Sequence, residues 1–222
     1  MDEVAVKICG LQSVEVLKSM KNLPVDYVGF VFARSKRQIS GGRAAELLPV
    51  LREWSGGAVP QSVGVFVNPT LEELGEVLRQ APLDIVQLHG TESPFFCREV
   101  KAAFGVNIFK AFSVKADGTV HGGAALNAYD GVLDGLLVDT YDPKYGGGSG
   151  VTFAWSAAEP YRRWAGDRGI PFLAAGGLHP GNVGDLIGAL QPDGVDVSSG
   201  VETDGVKDIA KVTAFVERVK GR

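Results

Sequence analysis

Short apolar runs rich in β-branched and aromatic residues recur along the chain, and each is followed by a stretch with helical spacing. Eight such runs occur, and their near-continuous apolar character is typical of parallel strands that are covered on both faces. The predicted strands are Val4–Cys9, Val25–Phe32, Ser62–Val67, Asp84–His89, Asn107–Phe112, Gly135–Asp139, Pro171–Ala175 and Gly194–Val197.

Helices are predicted between the strands, mostly from residues that cap helix N-termini. Thr70 with Glu73 three residues later forms a capping box, and Ser93 is followed by proline at the first helical position. The predicted helical segments are Ser13–Lys21, Ser40 to about Trp54, one after Thr70, one after Ser93, a short one at Ala124–Ala128, Ser156–Trp164, Pro180–Leu190 and Asp208–Lys220.

Regular alternation of strands and helices fits either an open doubly wound sheet or a closed (β/α)8 barrel. Eight strand–helix units in 222 residues favour the α/β barrel, and no change in composition marks a second domain. Neither the Gly-x-Gly-x-x-Gly fingerprint after the first strand nor a P-loop is present. The sequence therefore predicts a (β/α)8 TIM barrel, with residues 1–222 as a single domain.

Composition narrows the class of protein. A net charge of -4 argues against a nucleic-acid partner, and no apolar run approaches the roughly 18 residues of a membrane span. The start of the chain lacks the apolar region of a signal peptide. With two cysteines and three histidines at unrelated positions, neither a disulfide framework nor metal-ligand spacing is present. We expect a cytoplasmic protein without a bound metal.

Polar residues at the carboxyl ends of barrel strands face the active-site mouth. After the seventh and eighth strands come Gly176-Gly177 and Asp196-Val197-Ser198-Ser199-Gly200, small residues whose backbone N–H groups would approach an anion. Loops after these two strands are the recurring phosphate site of such barrels, although glycines there also make plain tight turns. We therefore predict a phosphorylated small-molecule substrate.

Two strands that end on nearly opposite sides of this mouth carry groups with acid–base chemistry at their ends. Asp139 ends the most apolar strand, where it would either cap a turn or, with its pKa raised by burial, act as an acid. Cys9 ends the first strand, where it would either fill the core or, with its pKa lowered, act as a base. A phosphorylated substrate held between them would suit a cofactor-free isomerisation.

Other mouth residues have two interpretations each. Arg37 lies in a basic loop that is either a solvated surface or the holder of a substrate carboxylate. His89 is a pocket ligand or a mouth histidine with its own hydrogen bonds, and Tyr145–Gly150 is a connector or a lid. Cys97 falls inside an amphipathic helix and is predicted to be core.

Together these pieces resemble the phosphoribosylanthranilate isomerase family, in order from residue 4 to about 208. The double glycine recurs in other phosphate-binding barrels, whereas the whole set with the strand-one cysteine is specific. The matching segments are Lys7–Gly10, Val28–Phe32 with Ser35–Arg37, Val63–Asn68, Val86–Gly90, Leu137–Thr140, Gly147–Gly150, Ala175–Leu178 and Val195–Glu202.

The resemblance implies a cofactor-independent enzyme of tryptophan biosynthesis that converts N-(5′-phosphoribosyl)anthranilate by an Amadori rearrangement. It also implies Asp139 as the general acid and Cys9 as the general base, and a monomer or homodimer. The implied substrate-binding residues are Arg37 for the anthranilate carboxylate, His89 in the pocket, and Gly176, Gly177, Ser198 and Ser199 around the phosphate with Asp196 nearby.

The alternatives are other phosphosugar barrel enzymes, among them a dual-specificity relative that also acts on the histidine-pathway substrate, and a barrel that binds phosphate without catalysis. A resemblance to the histidine-pathway isomerase would imply aspartates as both the general acid and the general base, whereas the first strand here ends in Cys9. An indole-glycerol-phosphate synthase uses strand-end lysines and glutamates, and only Lys110 qualifies. A barrel that binds phosphate without catalysis is disfavoured because Cys9 and Asp139 are both present. Longer loops at Lys115–Gly123 and Asp130–Asp134, and an additional glycine before Ser149, depart from the family pattern.

Overall fold

The structure is a computed structural model that describes residues 3–114, 120–121, 125–140, 155 and 157–221. Nine strands in these ranges belong to one sheet and two form a separate hairpin. The strands are β1 (Ala5–Cys9), β2 (Tyr27–Val31), β3 (Gln61–Phe66), β4 (Ile85–Leu88), β5 (Asn107–Val114), β6 (Val120–His121), β7 (Gly135–Thr140), β8 (Phe172–Ala175), β9 (Gly194–Val197), β10 (Glu202–Thr203) and β11 (Val206–Lys207).

Seven α-helices and two short 3₁₀ turns lie in the described ranges. The 3₁₀ turns are Leu126–Tyr129 and Ser199–Val201. The α-helices are α1 (Val14–Met20), α2 (Gly41–Leu51), α3 (Leu71–Gln80), α4 (Pro94–Phe104), α5 (Glu159–Gly166), α6 (Val183–Leu190) and α7 (Ile209–Lys220).

Eight parallel strands close into a barrel, as predicted. Their order is β4-β3-β2-β1-β9-β8-β7-β5, and the pairing of β5 with β4 closes the ring. Each of the eight predicted strands coincides with one of these within a few residues. The two-residue β6 pairs antiparallel with the end of β5 and extends the sheet beyond the ring.

The core has two layers, because side chains along each strand alternate between the barrel interior and the surrounding helices. The interior layer is small and contains Val63, Ile85, Phe109, Leu137 and Leu173 among others. The larger layer lies between strands and helices and includes Cys97, which is fully buried as predicted. A strand residue's position in the alternation therefore decides whether it faces the mouth or a helix.

Helix starts agree closely with the predicted caps. Ser13, Ser40 and Ser93 each accept a hydrogen bond from the backbone N–H three residues later. At α3 the capping box is complete, since Thr70 and Glu73 each bond the other's backbone N–H.

Later helical segments differ from the predictions at their ends. The segment predicted at Ser156–Trp164 is helical over Glu159–Gly166, and the one predicted from Pro180 begins at Val183. The short predicted helix at Ala124–Ala128 is a 3₁₀ turn at Leu126–Tyr129. Neither α5 nor α6 has a side-chain cap, so the sequence carried no strong start signal there. No helix in the described ranges is long and apolar enough to cross a membrane.

Candidate active site

The chemistry-bearing residues identified from the sequence meet at the carboxyl ends of the barrel strands. Cys9 ends β1, Asp139 lies one residue before the end of β7, and His89 directly follows β4. In the ring β8 and β9 stand between β7 and β1, so the loops that begin with Gly176 and Ser198 lie between Asp139 and Cys9. This is the order that the alternation of strands predicts.

Cys9 faces the barrel interior at the top of β1, with 7% of its surface exposed. Gly29 on the neighbouring β2 makes room for the thiol, since a Cβ added at Gly29 would lie 2.7 Å from the Cys9 Sγ. Lys7, two residues earlier on the same strand, faces the same way. The thiol therefore sits directly above a buried lysine.

Lys7 is fully buried, and its Nζ lies 3.0 Å from the Asp196 Oδ1 on β9. Burial by itself lowers the pKa of Lys7, but the Asp196 carboxylate and the nearby Cys9 outweigh burial and raise that pKa above its ordinary value. Lys7 is therefore cationic at neutral pH. Asp196, expected near the phosphate, has this ion pair inside the barrel as its side-chain contact.

The Cys9 thiol has a raised pKa, whereas the sequence argument asked for a lowered one. Burial raises the pKa of Cys9; Lys7 and Lys207 lower it, Asp196 raises it further, and burial wins. The thiol is therefore protonated at neutral pH in the protein without substrate. Its base form is a minority species that the two lysines support.

Arg37 is an integral part of the mouth rather than a solvated loop residue. Its Nε and Nη2 each donate to one carboxylate oxygen of Glu202, both over 2.7 Å. This bidentate contact raises the pKa of Arg37 further above its already high value. Glu202 lies on β10 and also contacts the Lys207 ammonium of β11.

Gly10 lets the arginine side chain reach this position. Its φ of +82° is left-handed, and a Cβ added there would lie 2.5 Å from the Arg37 Cδ and 3.2 Å from the Ser198 Oγ. A larger residue after Cys9 would therefore clash with both the arginine and the loop after β9. The glycine is required by backbone conformation and by close approach together.

Asp139 and His89 lie side by side across the mouth from Cys9. The His89 Nε2 is 3.5 Å from the Asp139 Oδ2, and both side chains are partly exposed. Below them, the buried Gln87 amide nitrogen is 3.0 Å from the His89 Nδ1. With the amide nitrogen donating to Nδ1, the neutral imidazole carries its proton on Nε2, facing the acid. His89 is thus oriented toward Asp139.

The two predicted phosphate loops pack against each other. Gly176 and Gly177 both have positive φ, 100° and 60°, and the Asn182 side chain donates to the Gly177 carbonyl over 3.1 Å. A Cβ at Gly200 would lie 1.8 Å from the Leu178 carbonyl oxygen, so the loops approach closely only because Gly200 has no side chain. Ser199 opens the 3₁₀ turn that follows Ser198.

Four residues of this site escaped the sequence analysis: Lys7, Gln87, Glu202 and Lys207. A signal was available for each of them. Lys7 shares the inward face of β1 with Cys9 by the alternation rule, and Gln87 shares the inward face of β4 with His89. The Asp204-Gly205 dipeptide between Glu202 and Lys207 was a hairpin signal that would have paired them.

Two further predictions concern what surrounds the mouth. Among the described residues, no group of three or more histidine, cysteine or acidic side chains is arranged to hold a metal ion. The Tyr145–Gly150 loop, predicted to be either a connector or a lid, lies outside the described residues.

Comparison with known sequences points to one family. The model of the N-(5′-phosphoribosyl)anthranilate (PRA) isomerase family matches residues 6–218. The N-(5′-phosphoribosyl)anthranilate isomerase of Brevibacillus brevis is 46% identical over 215 residues, which cover 97% of this chain and 93% of that protein.

Solved structures agree. The phosphoribosyl anthranilate isomerase of Thermotoga maritima has a TM-score of 0.76 and 36% identity, and the match covers 99% of this chain and 100% of that one. A phosphoribosyl anthranilate isomerase solved with reduced 1-(o-carboxyphenylamino)-1-deoxyribulose 5-phosphate has a TM-score of 0.72 and 34% identity, with coverage of 99% and 100%.

Proposed function

The chain belongs to the N-(5′-phosphoribosyl)anthranilate isomerase family and is an isomerase of tryptophan biosynthesis; on this premise we propose that Cys9 and Asp139 perform its acid–base chemistry. The observation that carries the proposal is the strand order of the barrel. β1 and β7 present a thiol and a carboxyl group on opposite sides of two glycine- and serine-rich loops. A substrate whose phosphate is held by those loops would extend between the two groups.

In the first half of the proposed reaction, Asp139 is the general acid. Its carboxyl proton goes to the furanose ring oxygen while the bond from that oxygen to C1′ breaks. The nitrogen lone pair forms the double bond of a Schiff base, so charge balances without an external reactant. His89 at 3.5 Å orients the carboxyl group and borders the pocket.

In the second half, Cys9 is the general base. The thiolate removes the C2′ proton, the C–H electrons form the enolamine, and ketonisation gives the 1-deoxyribulose product. Because burial raises the Cys9 pKa, the thiolate depends on the Lys7 ammonium below it and on Lys207. Asp196 keeps Lys7 protonated and in place, so we assign it an indirect part in substrate turnover.

The two ends of the substrate are both anionic, and we assign each to its own set of N–H donors at the mouth. The phosphate is held by backbone N–H groups around Gly176, Gly177, Ser198 and Ser199, where the two loops approach closely and their residues are small. Arg37 binds the anthranilate carboxylate, since Glu202 holds its guanidinium at the mouth, close to Gly10 and the loop after β9, with N–H groups left to donate.

Turnover with purified protein tests this division of roles. The protein should consume phosphoribosylanthranilate without added metal or cofactor, seen as loss of its fluorescence. Cys9→Ser and Asp139→Asn should each lower kcat by about 10²–10⁴-fold, the range of general acid–base catalysis, with much smaller changes in KM. Cys97→Ser serves as the control thiol substitution. If either site variant keeps kcat within a few-fold of wild type, that residue's role is wrong.

We further propose a cytoplasmic enzyme that acts as a monomer or homodimer on a small phosphorylated substrate and has no nucleic-acid partner. Both cysteines are unpaired and buried, which suits a reducing compartment, and the net charge of -4 does not favour a polyanionic partner. Light scattering on the purified protein distinguishes monomer from dimer.

A further inference from the structure

A two-stranded hairpin after the 3₁₀ turn carries Glu202, which has no part in the acid–base mechanism, and Lys207, whose only part there is to favour the Cys9 thiolate. β10 and β11 pair antiparallel, with Glu202 directly opposite Lys207. The connecting residues Asp204 and Gly205 have φ of 53° and 80°, the conformation of a tight hairpin turn. The hairpin therefore fixes one carboxylate against one ammonium at the edge of the mouth.

Glu202 is shared between two cations. One of its oxygens accepts from both the Arg37 Nε and the Lys207 Nζ, and the other accepts from the Arg37 Nη2. The Glu202 and Lys207 side chains are 7% and 4% exposed. Burial by itself raises the pKa of Glu202, but its bonds to Arg37 and Lys207 outweigh burial and hold that pKa below its usual range.

This arrangement leaves one part of Arg37 unused. With Nε and Nη2 bonded to Glu202, the Nη1 group has no hydrogen bond to any described residue. A guanidinium has five N–H donors in a rigid plane, so fixing one edge fixes where the remaining donors point. Glu202 thus sets the direction in which Arg37 offers its free N–H groups.

Lys207 completes the charge of the group. Arg37 and Glu202 alone would form a neutral pair with little attraction for a further anion. With Lys207 as an ammonium, the group of three carries one net positive charge. Lys207 also donates to the Ser198 carbonyl oxygen over 3.0 Å, and the Ser198 Oγ donates to the Cys9 carbonyl oxygen over 3.1 Å.

We propose that Glu202 and Lys207 are positioning residues that aim Arg37 at the substrate carboxylate and couple it to the loop after β9. The inference rests on the proposed function, in which Arg37 binds that carboxylate. A structural role alone explains the arrangement poorly, because buried ion pairs contribute little net stability after desolvation. Their contacts join Arg37, in the loop after β2, to Ser198, in the loop after β9, and the proposed function assigns both loops to substrate binding.

A double-mutant cycle tests the proposal. Arg37→Ala, Glu202→Gln and the double variant are compared with wild type by steady-state kinetics with phosphoribosylanthranilate. Glu202→Gln should raise KM by about tenfold with kcat changed less than about threefold, because binding rather than chemistry is impaired. In the Arg37→Ala background the same substitution should have no further effect on KM, since the residue it positions is gone.

The matched control is Glu159→Gln on α5. Glu159 holds Arg162 by the same bidentate geometry, 2.8 Å at both contacts, but on the outer helix layer. Its loss should leave KM and kcat unchanged. Lys207→Met is the second test: it keeps the Arg37–Glu202 contact, removes the net positive charge, and should raise KM while reducing its dependence on salt.

The outcomes separate the two hypotheses. If Arg37→Ala leaves KM unchanged, the proposed role of Arg37 fails. If Arg37→Ala raises KM but Glu202→Gln and Lys207→Met do not, the positioning inference is overturned while the proposed function stands. Equal effects of Glu202→Gln with and without Arg37 would overturn it as well. Circular dichroism checks folding, and Glu202→Asp, which keeps the charge but shortens the reach, replaces Glu202→Gln if that variant is unfolded.

Discussion

Two clusters in this barrel contain the same three kinds of residue: a buried lysine, a carboxylate and a cysteine. The inner cluster is Lys7, Asp196 and Cys9, inside the barrel beneath the mouth. The outer cluster is Lys110, Glu92 and Cys97, between the strands and α4. In both, the lysine nitrogen lies close to a carboxylate oxygen, at 3.0 Å in the inner and 3.2 Å in the outer cluster.

The two lysines nevertheless respond in opposite ways. The pKa of Lys7 is raised, because Asp196 and Cys9 outweigh burial, whereas burial lowers the pKa of Lys110 despite Glu92. Lys110 also donates to three backbone carbonyls, those of Leu88, Gly90 and Ala111. The outer lysine therefore links neighbouring strand ends by hydrogen bonds, while the inner one places a positive charge beside a thiol.

Strand alternation explains the difference. Lys7 and Cys9 are two residues apart, so both point inward and the thiol reaches the mouth. Lys110 follows the inward-facing Phe109, so it points toward the helices, where Cys97 is sealed from solvent. The same three kinds of residue lie at the proposed reaction site in the inner layer and join strands and helices in the outer layer.

The largest expected effect is on stability in the outer cluster. Lys110→Met leaves the buried Glu92 carboxylate without its cation and should lower the free energy of unfolding by about 3–5 kcal/mol. Lys101→Met is the control, since the Lys101–Asp134 pair is substantially exposed and should contribute about 1 kcal/mol or less. Urea unfolding followed by fluorescence measures both. Similar losses for the two variants would contradict the structural role of Lys110.

The two thiols should differ in their alkylation by iodoacetamide. Alkylation requires the thiolate, and the raised pKa of Cys9 means that its rate should climb about tenfold per pH unit from pH 7 to 9. Burial raises the pKa of Cys97 to about 11, and the residue is fully buried, so it should react only when the protein unfolds. Peptide mass spectrometry assigns each site. A Cys9 rate already flat at pH 7 would show a resting thiolate and contradict the raised pKa.

Lys7→Met removes the positive charge of the inner cluster but keeps a side chain of similar length, so it tests the effect of that charge on Cys9. Because Lys7 lowers the pKa of Cys9, its removal raises that pKa further, so less thiolate is present at neutral pH. Each unit of increase should lower kcat/KM about tenfold at pH 7, with recovery as pH rises. The pH profile of kcat/KM is the measurement. Folded Lys110→Met is the control and should keep the wild-type profile; a profile unchanged in Lys7→Met would exclude this role.

The smallest effects are expected from substitutions of two glycines that have a left-handed backbone conformation. Gly10→Ala should raise KM a few-fold, because its Cβ would displace the Arg37 side chain from 2.5 Å away. Gly105, after the outer cluster's helix, has φ +64° with open space around it. Gly105→Ala should cost about 1 kcal/mol of stability for the backbone strain and leave the kinetics unchanged. Equal KM values for both variants would indicate that Gly10 serves the turn alone.

Local patterns in the sequence were sufficient to predict the fold and the principal candidate residues. Apolar runs, capping residues and the alternation of elements predicted eight barrel strands, because these signals depend on neighbours in the chain. The strand ends then identified Cys9, Asp139 and the two glycine-rich loops. Helix ends without side-chain caps, as at α5 and α6, were predicted less well since no local signal marks them.

Only the tertiary structure decided the partners and charge states of those residues. Arg37 and Glu202 are 165 positions apart, and Lys7 and Asp196 are 189 apart, so neither ion pair follows from local spacing. The protonation of Cys9 depends on burial and Asp196, which raise its pKa, and on Lys7 and Lys207, which lower it. Electrostatic energies depend on distance and solvent exposure in three dimensions, and closure of the barrel determines both.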